Sequence, residues 1–404
     1  MHPDSPLVPN DPLLPPDSRL PDTGPVQIMR LEVFVFRAPI EAPVITSFGE
    51  MRDRPAVLVR LEDQHGAQGW GEVWCNFPAC GAEHRARLLE SVLAPRLINA
   101  RFGSVTEATR SLEVAQRVLA VQTAEWGPLA QCLAGIDIAL WDLAARRAGK
   151  PLARLLGAEG VLATPVYASG INPDDVPRLL ESSRARGYRA FKVKVGFGRD
   201  ADLASVAAAR AMLGPGERLM LDANQAWDPR EALTMAEALA AFAPDFLEEP
   251  MPADRSLEDW RRLAAASPIP LAGGENLRGA QVFDQVLQAG ILQVLQPDMC
   301  KWGGFTGCLP VARAILKAGK RYCPHFLGAG IGLMASAHLL AAAGGDGLLE
   351  VDANPNPLRE MLGAPFPKLD AQGRSPLTES PGLGVAPDLE AARQWQVQYL
   401  RREA

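Results

Sequence analysis

Short apolar segments with the length of β-strands recur along the second half of the chain, roughly 23–28 residues apart. They are TPVYASG (164–170), FKVKVGF (191–197), LMLDAN (219–224), DFLEEP (245–250), IPLAGGEN (269–276), LQVLQPD (292–298), RYCPHFL (321–327) and GLLEVD (347–352). The segments between them, such as DLASVAAARAML and PREALTMAEALAAF, space their apolar residues as helices do. Eight strand–helix alternations of similar length favour a closed parallel β/α barrel over a doubly wound sheet.

The first part of the chain has a different pattern. Residues 29–75 indicate an antiparallel β-meander with QHG as a turn, and helical segments follow up to LAGIDIALWDLAARRAGKPLARLLG (133–157). The last stretch, PGLGVAPDLEAARQWQVQYL, lies beyond the eighth strand and is predicted to pack back on this first part. The predicted fold class is therefore α/β, a TIM-like (β/α)7β-type parallel barrel with an α+β capping domain.

The predicted organisation has four parts. They are a flexible proline-rich tail (1–28), an N-terminal α+β capping domain (29–158), a catalytic β/α barrel (159–365) and a C-terminal segment that returns to the capping domain (366–404). The first strand is expected to begin at Met29.

Composition limits the class of protein. A chain of 404 residues is too long for one ordinary core, and its apolar content of 48% is typical of a globular protein. The net charge of −6 indicates no nucleic-acid partner, and no apolar run approaches the ~18 residues of a membrane helix. Six scattered cysteines without a CxxC motif indicate reduced thiols, so we expect a cytoplasmic protein.

Polar side chains end seven consecutive predicted strands. They are Lys192 and Lys194, Asp222 and Asn224, Glu248, Glu275, Asp298, His325, and Glu350 with Asp352. In parallel β/α barrels these ends face the active-site mouth. A single acid here could cap the next helix, but Asp222, Glu248 and Glu275 from three successive strands would crowd together. Carboxylates at such short separations raise each other's pKa unless a cation lies between them. Carboxylate oxygens are ligands that suit Mg²⁺.

Two lysines and a histidine complete the candidate chemistry. Lys192 and Lys194 are two residues apart on one strand and so share a face. A neighbouring ammonium and a divalent cation would lower a lysine pKa and make it a general base, although a KxK motif alone is usually a solvated edge. His325 follows the strand after Asp298, and a carboxylate beside it would fix its tautomer and raise its basicity. The alternative is a histidine satisfied in the core, which is the interpretation we adopt for His338.

The sequence resembles the mandelate racemase subgroup of the enolase superfamily over residues 29–404. The motifs that carry the resemblance are LAGIDIALWDLAARRAGKPLARLLG, KVKVGFG, LDAN, LEEP, GGEN, QPDMCKWGG, PHFLG and PGLGV, which occur in the family order. The glutamate of GGEN, and Asp298 with His325 in place of a base lysine on the sixth strand, distinguish the chain from the muconate-lactonizing subgroup. Several segments of the sequence are similar to segments of the sugar-acid branch of this subgroup.

This resemblance implies roles for the strand-end residues. Asp222, Glu248 and Glu275 would bind Mg²⁺, with Mn²⁺ as a possible substitute. The catalytic residues would be Lys194 as one base, His325 with Asp298 as the other, and Lys192 with Glu350 polarising the substrate carboxylate. Asn224, Lys192 and Glu350 would contact the substrate, and Glu249 would point away from the metal. Segments 45–54 and 73–81 would reach over the substrate.

The implied activity is removal of the proton α to a carboxylate to give a metal-stabilised enolate. Dehydration, epimerisation or racemisation, or cycloisomerisation of a hydroxy acid, a sugar acid or its lactone would follow. The expected partners are a small carboxylate substrate and further copies of the chain, with no nucleic acid and no membrane. A metal-dependent hydrolase is a weaker alternative because no HxH motif occurs. A catalytically idle homologue is another, although both bases and all three ligand positions are retained.

Overall fold

A computed structural model describes residues 20–46, 49–363 and 368–404. The first part of the chain forms an antiparallel meander of β1 (Val26–Thr46), β2 (Gly49–Asp63) and β3 (Gln68–Val73), with the short β4 (Arg101–Phe102) beside β1. Its helices are α1 (Gly81–Leu88), α2 (Ala94–Leu97), α3 (Val105–Thr123), α4 (Trp126–Arg147) and α5 (Leu152–Leu155). The predicted meander is confirmed.

The first strand begins at Val26 and not at Met29 as predicted. Val26 pairs with Phe102 of β4, and both Val26 and Ile28 are buried while Gln27 between them is half-buried. This apolar–polar alternation continues the strand pattern upstream of Met29. The interpretation of residues 26–28 as flexible tail is therefore wrong, and residues 1–19 of that tail lie outside the described residues.

Helix α4 packs across strand β3 at unusually short range. A Cβ atom on Gly71 would lie 1.9 Å from the carbonyl oxygen of Gly135, so only glycine fits at this position of β3. Within the described ranges, α4 is the one helix long and apolar enough to cross a membrane, and 89% of that stretch is buried inside the fold. It is packed here as a core helix.

Eight parallel strands form the second part of the chain, as predicted. They are β5 (Ala163–Ile171), β6 (Ala190–Lys194), β7 (Arg218–Asp222), β8 (Leu247–Glu248), β9 (Leu271–Gly273), β10 (Val294–Leu295), β11 (Arg321–Tyr322) and β12 (Leu349–Asp352). They are hydrogen-bonded in the order β11-β10-β9-β8-β7-β6-β5-β12, and β13 (Arg374–Pro376) adds antiparallel to β5. Several are shorter than predicted because prolines such as Pro250, Pro297 and Pro324 follow closely and have no N–H to donate.

The ring of eight strands is closed by side chains. One buried residue from each strand or its edge joins a common interior cluster: Tyr167, Ala190, Met220, Phe246, Ala272, Val294, Cys323 and Leu348. Strands β11 and β12 are the two ends of the hydrogen-bonded order. They meet where the backbone N–H of Leu348 donates to Cys323 Sγ at 3.4 Å. A filled interior of this kind is typical of a β/α barrel.

Helices between the strands surround the barrel. They are α6 (Val176–Ala185), α7 (Arg199–Met212), α8 (Pro229–Leu239), α9 (Leu257–Ala266), α10 (Ala280–Ala289), α11 (Gly304–Lys317), α12 (Gly330–Ala343) and α13 (Pro357–Met361). The last strand, β14 (Gln396–Glu403), pairs antiparallel with β1, so the C-terminal segment returns to the first sheet as predicted. The predicted boundary at residue 365 lies outside the described residues, and β13 beyond it still belongs to the barrel sheet.

Candidate active site

Neighbouring strand ends bring a predicted lysine and two predicted acids side by side. In the parallel register Lys194 lies beside Asp222, and Asp222 lies beside Glu248. Both acids are buried, with 2% and 1% of their surface exposed. They do not cap the helices that follow, because Asp228 and Ser256 accept the first-turn N–H groups of α8 and α9. The helix-cap alternative is therefore wrong for these two acids.

Lys192 is the centre of a buried group of ion pairs. Its Nζ lies 2.6 Å from Glu248 Oε2, 2.7 Å from Glu350 Oε1 and 3.8 Å from Asp222 Oδ2. Burial lowers the pKa of Lys192, but Glu248 and Glu350 raise it well above its ordinary value. This ammonium group lies where three carboxylates from three strands converge, and it balances part of their negative charge.

Lys194 is held by the neighbouring strand end. Its Nζ lies 2.9 Å from Asp222 Oδ2 and donates to Asn224 Oδ1. Burial lowers the pKa of Lys194, but Asp222 outweighs burial and the pKa is raised. A lowered pKa was predicted from the sequence. The direction differs because, among the protein groups alone, Asp222 offers its full negative charge to Lys194, whereas the prediction placed a divalent cation beside that carboxylate.

His325 bridges two carboxylates. Its Nδ1 lies 2.8 Å from Asp298 Oδ2, and its Nε2 lies 2.7 Å from Glu275 Oε2 and 3.9 Å from Glu350 Oε2. Burial lowers the pKa of His325, but Glu275, Glu350 and the bond to Asp298 raise it well above its ordinary value. Both ring nitrogens face acids at the barrel mouth, which does not fit the alternative of a histidine satisfied in the apolar core.

Lys301 is a site residue that the sequence pattern did not predict. Its Nζ lies 2.8 Å from Glu275 Oε1, on the other side of that carboxylate from His325, and 4.8 Å from the centre of the Trp74 ring. Burial raises the pKa of Glu275, but His325 and Lys301 outweigh burial and hold it well below its usual range. Lys301 stands inside the motif QPDMCKWGG, but nothing in its local spacing indicates a partner on the preceding strand.

The acids carry more negative charge than the lysines balance. Burial raises the pKa of Glu248 to about 7, and Asp222, Glu350 and Glu275 add to this although Lys192 opposes it. A divalent cation would relieve such repulsion, and an all-oxygen donor set suits Mg²⁺. Within the described ranges, however, no group of three or more His, Cys, Asp or Glu side chains is arranged to hold an ion as it stands. Glu275 faces His325 and Lys301 instead. A metal site formed by all three acids therefore stays a prediction, and their oxygen donors are chemically suited to Mg²⁺.

Backbone strain is concentrated at two of these strand ends. Asn224, Gln225 and Glu249 have φ values of 44°, 66° and 38°, in the left-handed region that residues other than glycine rarely adopt. The backbone N–H of Gln225 donates to the carbonyl of Glu249 at 2.7 Å and links the two turns. The Glu249 carboxylate accepts from Asn276 Nδ2 at 2.9 and 3.1 Å and, among the residues that the structure describes, forms no ion pair with Lys192 or Lys194.

Two capping segments reach the barrel mouth. Arg54, which is 2% exposed, forms an ion pair with Asp352 of β12 at 2.6 Å. Asn76 donates through Nδ2 to the carbonyl of Leu327 at 2.7 Å, beside His325. Residues 47 and 48 of the predicted segment 45–54 lie outside the described residues. What these segments contact in a substrate stays a prediction.

Comparison with known proteins identifies the family. Residues 30–157 match the mandelate racemase/muconate lactonizing enzyme N-terminal domain, and residues 175–392 match the enolase C-terminal domain-like family. The chain belongs to the mandelate racemase/muconate lactonizing enzyme family. The predicted membership in the enolase superfamily and the predicted barrel with a capping domain are thereby confirmed.

Three relatives of this mandelate racemase-family enzyme are informative. The crystal structure of a mandelate racemase/muconate lactonizing enzyme from Bordetella bronchiseptica RB50 has a TM-score of 0.85 and 53% identity, covering 92% of this chain and 99% of that chain. D-Galactarolactone cycloisomerase from Agrobacterium fabrum is 32% identical over 363 residues, 85% of this chain and 92% of the relative. An enolase from Bradyrhizobium, complexed with magnesium and mandelic acid, has a TM-score of 0.80 and 28% identity, covering 93% and 99%.

Further family relatives are named as dehydratases and racemases. This mandelate racemase-family chain is therefore an enzyme of the isomerase or hydro-lyase type, as predicted. Magnesium in structures of relatives supports the predicted cofactor, whereas Mn²⁺ substitution stays a prediction. The individual roles of the site residues also stay predictions.

Proposed function

We propose that this enzyme removes the proton α to the carboxylate of a hydroxy acid or sugar acid, or of its lactone. One observation carries the proposal: Lys194 and His325 reach the same buried ion-pair network from β6 and β11. Two strands, β5 and β12, separate them on one side of the ring, and four strands separate them on the other. Two proton-transfer groups in this arrangement could act on opposite faces of one substrate carbon.

His325 is prepared to exchange a proton through Nε2. Its Nδ1–H donates to Asp298, which fixes the ring orientation and leaves Nε2 on the other side of the ring, 2.7 Å from Glu275 Oε2. The raised pKa favours the imidazolium, so His325 could return a proton to the substrate as well as accept one. Lys194, on the other side, would act once its contact with Asp222 is weakened.

Asp222, Glu248 and Glu275 are the residues that would hold Mg²⁺. When bound, this ion supplies positive charge that stabilises the negative charge developing on the substrate carboxylate as the α-proton leaves. Lys192 and Glu350 face each other at 2.7 Å beside these acids, and we assign them to the substrate carboxylate together with Asn224. The protein thus holds each reacting group through buried side chains on rigid strand ends.

The substrate class follows from similarity. The curated relatives include D-galactarolactone cycloisomerase and L-talarate/galactarate dehydratase, at 32% and 34% identity. We therefore infer a sugar acid or its lactone before a simple aromatic hydroxy acid. Racemisation, dehydration or cycloisomerisation would then follow according to where the enolate's electrons go, and we assign contact with the rest of the substrate to the capping segments.

Proton exchange in deuterated water tests this function. The enzyme would be incubated with Mg²⁺ and a panel of hydroxy acids, sugar acids and their lactones, and the α-proton signal followed by ¹H NMR. We expect loss of that signal for at least one sugar acid, and no loss when a chelator removes Mg²⁺. An enzyme that exchanges no α-proton on any acid would contradict the proposal and favour an idle homologue. Ester or amide hydrolysis without exchange would favour a hydrolase.

A further inference from the structure

Two barrel helices beside the His325–Asp298 pair have no capping side chain of their own. Helix α11 begins after Gly303 and helix α12 begins after Ala329, and neither residue offers a side-chain hydrogen bond to the first turn. The first N–H groups of a helix have no partner within the helix, so another group must accept them when the helix end is buried. Both partners come from the capping domain.

Glu72 of β3 accepts hydrogen bonds from backbone N–H groups at the start of α12. Its Oε1 accepts from the backbone N–H of Ala329 at 2.5 Å, and its Oε2 accepts from that of Gly332 at 2.7 Å. The side chain is 2% exposed, and the backbone comes so close that a Cβ atom on Gly328 would lie 2.6 Å from Glu72 Oε1. The carboxylate is therefore fixed against the loop that follows His325.

Asp137 of α4 does the same for α11. Its Oδ1 accepts from the backbone N–H groups of Phe305 at 2.6 Å and Thr306 at 3.1 Å, and its Oδ2 accepts from Thr109 Oγ1 at 2.7 Å. Asp137 is completely buried. The loop that precedes α11 carries Asp298, so each member of the His325–Asp298 pair lies between a barrel strand and a helix capped by the other domain.

Neither carboxylate forms an ion pair with a basic side chain among the residues that the structure describes. A buried acid without such a partner is costly, and burial raises the pKa of Glu72 to about 7 and that of Asp137 to about 6. A local serine or threonine would satisfy each helix end more simply. Acids from another domain also fix the position of each helix relative to that domain, which a local cap would not do.

We propose that Glu72 and Asp137 are positioning residues, through which the capping domain sets the geometry of the His325–Asp298 pair. The catalytic part of this inference rests on the proposed function of His325. Asn76, four residues after Glu72, adds a third contact from the same domain by donating to the carbonyl of Leu327. A displacement of about 1 Å at a reacting group can lower a rate about 10²-fold, so such support is significant.

The test compares Glu72→Gln and Asp137→Asn with Asp142→Asn in the full chain. Asp142 is a matched control, because it is a completely buried acid of the same helix α4. It accepts from the backbone N–H groups of Trp70 at 2.9 Å and Leu383 at 2.7 Å and, unlike the two test residues, forms an ion pair with Arg146 at 2.9 Å; none of these partners carries the site loops. Thermal melting of all three variants establishes that they fold.

The first measurement is a spectroscopic one that needs no substrate. The Nδ1–H proton of His325, hydrogen-bonded to Asp298, should give a low-field ¹H resonance that is identified by its loss in His325→Asn. We expect this resonance to shift or broaden in Glu72→Gln and Asp137→Asn and to be unchanged in Asp142→Asn. An unchanged resonance in Glu72→Gln would overturn the inference, as would an equal change in the control. If Glu72→Gln does not fold, Asn76→Ala is expected to broaden the same resonance.

The second measurement is kinetic. Glu72→Gln should lower kcat roughly 10- to 100-fold with KM within about twofold, because binding groups on other strands are untouched. In the His325→Asn background the same substitution should lower the residual rate no further, since its effect passes through His325. Equal effects in both backgrounds would indicate a merely structural role. Absence of any α-proton exchange by the unmodified enzyme would instead reject the proposed function. The low-field resonance of His325 would still test whether Glu72 and Asp137 position the His325–Asp298 pair.

Discussion

Replacing Lys194 or His325 should distinguish proton transfer on one face of the substrate carbon from proton transfer on the other. Lys194→Ala and His325→Asn are each expected to lower net turnover ~10²–10⁴-fold, which is the typical loss when a general base is removed. If the bases act on opposite faces, one variant should still exchange the α-proton with solvent and the other should not. Product formation and ¹H NMR exchange measured together show the pattern, with exposed Lys317→Ala as control. Turnover near that of the unmodified enzyme in either variant would contradict the two-base arrangement.

Glu248 and Glu249 are adjacent acids that should respond differently to magnesium. Glu248 contacts Lys192 beside Asp222, whereas Glu249 is turned to Asn276. Added Mg²⁺ should raise the melting temperature of the unmodified enzyme, because a ligand at 100 times its Kd stabilises the native state by about 2.7 kcal/mol. We expect Glu248→Gln to lose most of this response and Glu249→Gln to keep it. The reverse result in a thermal-shift titration would move the metal site away from Glu248.

At the scale of secondary-structure elements, strand β1 includes residues that the sequence pattern assigned to a tail. A chain that starts at Met29 lacks the buried side chains of Val26 and Ile28, which a chain that starts at Leu20 retains. Full burial of such a side chain contributes about 1.5–3 kcal/mol, so the shorter chain should have a clearly lower free energy of unfolding. Urea unfolding of the two chains measures the difference. Equal midpoints would show that the contacts of residues 20–28 contribute nothing.

The sequence predicted the elements of the barrel better than the contacts between elements. Strand-end residues such as Asp222 and Glu248 were predictable because each follows a local apolar run, and parallel strand ends share one edge. The contact of Glu72 with Ala329 joins residues 257 positions apart, and no local period reports such a pair. Lys301 shows the same limit at shorter range, since its partner Glu275 lies on the preceding strand.

At the scale of the whole molecule, His338 joins three separate parts of the chain. On helix α12, its Nδ1 accepts from the backbone N–H of Ala153 at 3.0 Å, and its Nε2 lies 3.2 Å from the carbonyl oxygen of Leu383. Burial lowers the pKa of this imidazole to about 4. The neutral ring therefore links a barrel helix, the short helix α5 and the C-terminal segment.

Acid should weaken the fold through His338. The unfolded chain takes up a proton near the ordinary pKa of 6.5, but the native ring resists it, so stability is present above pH 6.5 and is lost as the pH falls toward 4. The loss amounts to roughly 3 kcal/mol. The difference in unfolding free energy between the unmodified enzyme and His338→Gln, measured by urea at several pH values, should shrink over that interval. A difference that does not depend on pH would exclude this role, and His65→Gln, in an exposed turn, serves as control.

The pairing of β1 with β14 places an early segment of the chain beside a very late one, with Leu31 opposite Arg402 and the N–H of Ala404 donating to the carbonyl of Met29. During synthesis β1 leaves the ribosome long before β14 exists. One edge of β1 therefore stays open until translation has passed the whole barrel, and an unpaired strand edge is a template for aggregation. We expect nascent chains that stall after the barrel to be clients of chaperones that cover exposed strands, and release of the finished chain to end that dependence.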